Sequence, residues 1–407
     1  MRNATLLLVG LHTLLFAQNP LSEEELSSAT LNIEIEAKSV LNQKPLWEKW
    51  CAQQSTPISS TLPQKELPPS SNEGSPFFDV SFLIWQSKMW GMEFAAKSTI
   101  PTNEGTSVVS LNEKISVPDF AWRPGVKFEV GYQFAFDNWD VDGRWTWYRG
   151  ETTHLKKHID LQTNPTGLGV VPLWFYPFYT VLSPSVIRYF EATSSWRHYF
   201  NSLDLEIGRF SAISTKTDLH LFAGVKGAWM HQYYRVEYEN GSTIEAIFPG
   251  QSGTTPYTLL QSTVVFDNKT WGGGPRAGFD SRWKLGYGIA VDINGAFSLL
   301  YSGAKTTRNQ RDLNLQTDID EETTFHVKLE TDSKQLKPVL EMQLGADWKY
   351  DFSQLSQVGL AILYELQYWW GQNNIRRGYS HVLPGGTFPS RGDLQMHGLT
   401  ATASYRY

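Results

Sequence analysis

The stretch Leu399-Thr-Ala-Thr-Ala-Ser-Tyr-Arg-Tyr407 decides the fold, because its residues alternate without interruption. Leucine, alanine and tyrosine occupy the odd positions, and threonine, serine and arginine occupy the even positions. A period of two places these sets on opposite faces of a β-strand. The pattern is typical of the closing strand of an outer-membrane barrel, with apolar residues toward lipid, polar ones toward a lumen and an aromatic residue at the interface. The half-buried last strand of a soluble β-sandwich would show the same alternation. The rest of the sequence therefore has to distinguish a barrel from a sandwich.

The composition favours the barrel over a helical membrane protein. Aromatic residues make up 14% of the 407 residues, with 16 Trp and 18 Tyr, which are enriched at membrane–water interfaces. Mean hydropathy is nevertheless −0.34, and no apolar run reaches the about 20 residues of a spanning helix. A barrel reconciles these facts, since only alternate residues of each strand contact lipid. The net charge of −6 argues against a nucleic-acid partner.

The first 76 residues differ in character from the rest. Residues 1–17 are interpreted as a signal peptide, with Arg2 before an apolar core and Ala17 at the cleavage position. Residues 18–76 are interpreted as a periplasmic segment, with an amphipathic helix between Ser22 and Gln43 followed by a linker rich in Ser and Pro. The single cysteine, Cys51, cannot form an internal disulfide.

The alternation of apolar and polar residues recurs in many segments of residues 77–407. Val126 to Phe134, Trp139 to Trp147, Ile289 to Tyr301 and Leu340 to Tyr350 each alternate, with their charges on one face only. The connections alternate between short ones, near Asp137, 211–217, 283–287 and 351–356, and long ones, at about 99–118, 151–191, 239–265, 304–334 and 373–393. This predicts an all-β fold, a transmembrane antiparallel up-and-down barrel of ten strands, or of twelve if two lie in the long loops, with both ends periplasmic.

Three blocks of sequence resemble the Legionella-type major outer membrane protein family, which extends to chlamydia-like bacteria. They are Phe120-Ala-Trp-Arg-Pro-Gly through Asp137-Asn-Trp-Asp-Val to Trp145-Thr-Trp, then Trp271-Gly-Gly-Gly-Pro-Arg-Ala-Gly-Phe-Asp, and Phe82-Leu-Ile-Trp. The resemblance covers about 77–407 and implies a barrel abundant at the cell surface, usually assigned a porin role. Chlamydial members are cysteine-rich and this chain is not, so a disulfide-cross-linked envelope is not expected from it.

The charged residues predicted to face inward form the candidate pore lining. The basic ones are Lys127, Arg144, Lys226, Arg276, Arg282, Lys349 and Arg406. The acidic ones are Glu129, Asp140, Asp142, Asp204, Glu206, Asp280, Asp292, Glu341, Asp347 and Glu365. Two interpretations stay open: a water-filled path with weak cation preference, or a lumen plugged by ion pairs, as in narrow barrels.

Four further points of the sequence bear on ligand binding or catalysis. Gly272 to Gly274 lacks the Lys-Ser/Thr of a phosphate loop, so close backbone packing is the better interpretation. His154 and His158 lack a third ligand, so no metal site is predicted. The aromatic loop Val170 to Ile187 could serve adhesion, constrict the mouth, or pack on its own barrel. Omptin proteases are ten-stranded barrels too, but no paired Asp-Asp and Asp-His signature can be placed here, and no enzyme is expected.

The sequence therefore predicts an exported outer-membrane protein for passive diffusion of small hydrophilic solutes and ions, without a cofactor. The alternative is a plugged structural or adhesive barrel that acts through its long loops. Expected partners are outer-membrane lipid and the barrel assembly machinery, through the strand that ends at Tyr407. A homo-oligomer is a further option, and nucleic acid is not expected.

Overall fold

The computed structural model describes residues 74–99, 112–135, 137–153, 155–158, 167–175, 180–181, 187–247, 253–352, 356–378 and 387–407. Ten long strands dominate the described residues. They are Ser75–Met89 (β1), Trp122–Gln133 (β2), Trp139–Thr153 (β3), Tyr189–Ala212 (β4), Thr217–Gly241 (β5), Thr255–Gly286 (β6), Ile289–Gln316 (β7), Glu321–Asp351 (β8), Gln357–Trp369 (β9) and Leu394–Arg406 (β10). Short strands lie in the connections: Ala95–Thr99, Asn112–Ser116, Asp119–Phe120, Leu155–His158, Gly167–Pro172, Thr180–Val181, Thr243–Ile247, Arg376–Gly378 and Thr387–Pro389.

The ten strands close into a ring. Each strand pairs antiparallel with the next along the chain, from β1 with β2 to β9 with β10. The ring closes because β1 also pairs with β10, from Phe77 opposite Arg406 to Met89 opposite Leu394. The predicted antiparallel barrel is confirmed, with ten strands rather than twelve in the ring that the described residues form.

Alternation along the strands explains why these segments form a barrel wall. On β4, Leu205 is 50% exposed, whereas Asp204 and Glu206 on either side of it are 2% and 3% exposed. The apolar set thus faces outward and the charged set faces inward, which inverts the arrangement of a soluble sheet. This inversion is stable only where hydrocarbon covers the outside of the ring.

Aromatic side chains mark the two edges of the outward apolar band. Toward the end with the short turns, exposed rings include Phe78, Tyr132, Trp283, Trp348 and Tyr405. Toward the end with the long connections, they include Trp122, Trp147, Trp229, Trp271 and Tyr301. Two such belts enclose the membrane-spanning part of a barrel.

The short connections lie where the sequence predicts them. β2 and β3, β4 and β5, β6 and β7, and β8 and β9 are joined by at most five residues each. Asp137 and Asn138 have φ values of 57° and 55°, the left-handed region that Asn and Asp tolerate in tight turns.

The expected loop at 304–334 is wrong. β7 and β8 continue through it as a paired hairpin and turn only between Gln316 and Glu321. The strands are 28 and 31 residues long, whereas crossing a bilayer takes about 9–11 residues. The expected loop at 239–265 is likewise shortened, because β5 extends to Gly241 and β6 begins at Thr255. The hairpin of β7 and β8 therefore projects far beyond the membrane.

The predictions for the signal peptide, the amphipathic helix, Cys51 and His154 lie outside the described residues. In the part of the chain that the structure describes, no helix has the length and apolarity needed to cross a membrane.

Candidate functional site: the barrel interior

All of the predicted pore-lining residues face the barrel interior. Their positions fall on the buried phase of the alternation on every strand that carries them, for example Lys127 on β2, Asp142 on β3 and Lys226 on β5. The face of each strand that these residues occupy is thus the one that the alternation predicted. Whether these residues line a water path stays a prediction.

A network of ion pairs crosses the lumen at mid-height. The Lys226 ammonium on β5 lies 2.8 Å from Asp204 on β4 and 2.9 Å from Glu341 on β8. Arg276 on β6 donates to the same Glu341 at 2.7 Å and to Glu206 on β4. Glu341 thereby bridges two cations on strands that are not its neighbours, and this arrangement neutralises charges that are almost fully buried.

Two further pairs continue this network on the other side of the ring. Lys127 on β2 contacts both carboxylate oxygens of Glu365 on β9, at 2.8 and 2.9 Å. Arg144 on β3 donates to Glu129 on β2. These two pairs, together with Glu341 and the four residues linked to it, are called the ion-pair belt: Lys127, Glu129, Arg144, Asp204, Glu206, Lys226, Arg276, Glu341 and Glu365.

A second charged group lies between the belt and the short turns. The ring of His220 contacts Asp140 at 3.0 Å through Nε2 and Asp280 at 2.8 Å through Nδ1. Arg282 lies 2.9 Å from Asp347, which also lies 3.6 Å from Lys349. The half of the lumen near the short turns is therefore mostly polar and charged in its described wall, with Phe77, Phe222 and Leu363 as buried apolar side chains among these groups.

An aromatic layer covers the other side of the belt. It consists of Trp85, Tyr148, Trp196, Phe200 and Trp369, each at most 2% exposed. Trp85 and Tyr148 have ring centroids 5.7 Å apart, and those of Phe200 and Trp369 are 5.5 Å apart. The belt cations touch this layer too, because Lys127 lies 5.3 Å from the Trp85 centroid and Lys226 lies 6.0 Å from that of Trp369.

The described part of the aromatic loop folds into the barrel. Trp174 is fully buried, with its centroid 5.0 Å from that of Phe266 and 5.8 Å from that of Tyr234. Its backbone amide donates to the Tyr238 hydroxyl at 3.2 Å, and Arg308 donates to its carbonyl. Among the alternatives for this loop, constriction of the mouth is the one that 167–175 supports. Tyr176, Phe178 and Tyr179 lie outside the described residues.

A row of buried polar side chains lies between Trp174 and the aromatic layer. His198, Gln232 and Asn268 lie directly opposite one another on β4, β5 and β6. Among the described residues, both ring nitrogens of His198, both amide atoms of Gln232 and Nδ2 of Asn268 have no hydrogen-bond partner. Buried polar atoms of this kind are normally satisfied by ordered water.

Four inward charges were missed by the sequence analysis. Asp79 lies near the start of β1, whereas Arg308, Asp312 and Lys337 lie on the parts of β7 and β8 that were interpreted as loop or as its margin. Extending the alternation of Leu340 to Tyr350 by three residues would have identified Lys337. Because two acids and two bases are added, the acidic excess of the lining is unchanged.

The remaining chemical motifs find structural explanations. A Cβ atom at Gly274 would overlap the carbonyl oxygen of Leu299, so close strand packing accounts for this glycine. Within the described ranges, no group of three His, Cys, Asp or Glu side chains is placed to hold a metal ion.

A closed ring with an apolar exterior, aromatic edges and a charged interior defines an integral outer-membrane β-barrel protein. The family model described as Legionella pneumophila major outer membrane protein precursor matches residues 70–407. The chain belongs to this family, as the sequence blocks indicated, and it is a multi-pass barrel of the bacterial outer membrane.

Comparison with other proteins adds little beyond this assignment. No curated protein matches the chain. The outer membrane protease OmpT from Escherichia coli is similar at 11% identity over 82% of this chain and 96% of that chain, with a TM-score of 0.31. A FadL homologue from Pseudomonas aeruginosa shares 9% identity over 82% and 90% of the two chains, with a TM-score of 0.23. Likenesses at this level carry no functional argument.

Proposed function

We propose that this barrel is a channel for passive diffusion of small hydrophilic solutes and ions across the outer membrane, with the ion-pair belt as its constriction. The observation that carries the proposal is the polar and charged inner surface of the His220 cluster and the belt, together with the polar row of His198, Gln232 and Asn268 beyond the aromatic layer. A lumen built only for packing would be filled by apolar residues, because unpaired buried polar groups cost free energy.

The belt limits what could pass. Lys226 and Arg276 are held between carboxylates, with side chains 1% and 3% exposed. Passage of an ion requires at least one of these pairs to separate, so the expected conductance is low. The excess of acidic side chains on the inner face predicts weak cation preference.

The direct test is reconstitution of the full-length protein into planar lipid bilayers. We expect stepwise current increases of small, uniform size. Silence at high protein load, with folding verified by heat-dependent gel mobility, would refute the channel.

Charge removal tests the inward lining. Replacing Asp140, Asp142 and Glu341 with Asn, Asn and Gln should shift the reversal potential in a KCl gradient toward anions, because three fixed negative charges leave the inner face. The matched control replaces Glu322, Glu330 and Asp332 on the outer face of the β8 projection, which removes the same charge outside the lumen. An unchanged potential in the first variant, or an equal shift in the control, would contradict the proposed lining.

A closed surface barrel is the second candidate, and two observations favour it. Most side chains of the belt and of the aromatic layer are almost inaccessible, and the β7–β8 hairpin extends well outside the membrane. In that case the exposed extensions perform the function, and the bilayer experiment distinguishes the two candidates. Catalysis is not part of either proposal.

A further inference from the structure

Basic side chains form one row on the outer surface of the barrel. Arg149 on β3 lies opposite Tyr199 on β4, which lies opposite His231 on β5. His231 lies opposite Lys269 on β6, and Lys269 lies opposite Lys305 on β7. Arg149, His231, Lys269 and Lys305 are called the basic row. Since neighbouring strands lie about 4.8 Å apart, the row spans about 19 Å of the barrel wall.

The row lies directly beyond the aromatic edge of the apolar band. Two residues closer to the membrane on the same strands, Trp147, Asn201, Trp229, Trp271 and Gly303 form the adjacent outward row in register. Tryptophan at this level marks the interface between hydrocarbon and headgroups. The basic row is therefore placed at the depth of lipid headgroups, at the end of the barrel with the long connections, which faces outward in outer-membrane barrels.

The cations of the row are free to take an external partner. Arg149, Lys269 and Lys305 are exposed, and no carboxylate among the described residues lies within ion-pair distance of them. The Arg149 guanidinium lies 4.9 Å from the centroid of the Tyr199 ring, which holds it outward. His231 contacts Asp267 at 2.9 Å, and Asp332 lies opposite Lys305 where the row ends.

We propose that the basic row binds the phosphate groups of a phosphorylated glycolipid in the outer leaflet. Arginine and lysine are the side chains that recognise phosphate. The basic row places several of them at headgroup depth, which complements a lipid with more than one phosphate. Tyr199 and the tryptophans beneath provide the apolar surface against which its acyl chains lie.

The test measures lipid binding by the full-length protein folded in a zwitterionic detergent. The probes are diphosphorylated lipid A, monophosphorylated lipid A and phosphatidylcholine, detected by native mass spectrometry. We expect the wild-type protein to prefer the diphosphorylated lipid over the monophosphorylated one, and to retain phosphatidylcholine least. Replacing Arg149, Lys269 and Lys305 with Gln should weaken binding of the diphosphorylated lipid by about 100-fold, given the contribution of each cation near an anionic surface.

The matched control replaces Arg209, Lys216 and Lys328 with Gln, which removes the same charge at the end with the short turns and on the β8 projection. It should bind the diphosphorylated lipid as the wild-type protein does. Equal loss in both variants, no loss in the first, or equal retention of phosphatidylcholine by the wild type would overturn the proposal. The readout is equilibrium binding, so it does not depend on whether the barrel conducts.

Discussion

Replacing Glu365 with Leu should destabilise the barrel by about 3–5 kcal/mol, because it leaves the buried ammonium of Lys127 without a counter-charge. Glu365 accepts two hydrogen bonds from Lys127, and the side chains are 2% and 8% exposed. Once the carboxylate is gone, the Lys127 ammonium loses both of these hydrogen bonds, although it still lies 5.3 Å from the centroid of the Trp85 ring. Urea unfolding in lipid vesicles, followed by tryptophan fluorescence, measures the change.

Two further variants test whether the loss of stability comes from the unpaired charge of Lys127. Adding Lys127→Met to Glu365→Leu should recover most of the lost stability, since apolar pairs replace buried ion pairs with little cost. Replacing Glu330, whose partner Lys328 is exposed on the β8 projection, should leave the unfolding midpoint unchanged. A double variant as unstable as the single one would mean that packing at these positions, rather than charge, sets the stability.

Replacing Val225 with Arg should cost about 2–4 kcal/mol, because the new charge would face lipid near the bilayer midplane. Val225 is 54% exposed and lies midway along β5 between Leu221 and Trp229, which are also exposed. The same unfolding experiment in vesicles measures the loss, and a lower yield of folded protein should accompany it.

The control for this substitution is Thr307→Arg. Thr307 occupies an outward position on β7, two residues beyond Lys305, where the wall has left the membrane. Its replacement should change stability far less than that of Val225. Similar losses at the two sites would show that the apolar band does not lie where the exposed aromatic residues place it.

The sequence predicted the membrane part of this fold because hydrocarbon imposes a strict rule on it. Wherever the wall contacts lipid, as on β4 around Leu205, an apolar outward residue must alternate with an inward one. Strand identity and the facing of every proposed pore residue follow from that rule, whereas the strand count stayed open between ten and twelve.

Outside the membrane the rule no longer applies, and the predictions fail there. Thr307, Asn309 and Arg311 face outward on β7 beyond the level of the basic row and contact water, so nothing forces them to be apolar. The alternation signal disappears while the strand continues, and the segment is mistaken for a loop. Arg308 and Asp312 were missed for this reason.

The partners within the ion-pair belt were beyond sequence reasoning for a different reason. Glu341 meets Lys226 and Arg276 across the lumen because the ring is narrow and its strands are staggered. A pattern along one strand gives the face of a residue, whereas the distance across the ring depends on strand number and shear together. The placement of Trp174 inside the barrel depends in the same way on the path of a connection.

The pairing of β1 with β10 has a consequence for biogenesis. It joins residues 77–89 to residues 394–406, so the hydrogen bonds that complete the cylinder link the first and the last strand of the ring, which are far apart in sequence. Contacts this distant in sequence form late, since the entropy of closing so large a loop must be overcome first. Until the last strand has been delivered, the first strand is left with an unsatisfied backbone edge. A nascent molecule truncated before Leu394 would keep that edge open and remain a target for aggregation or proteolysis.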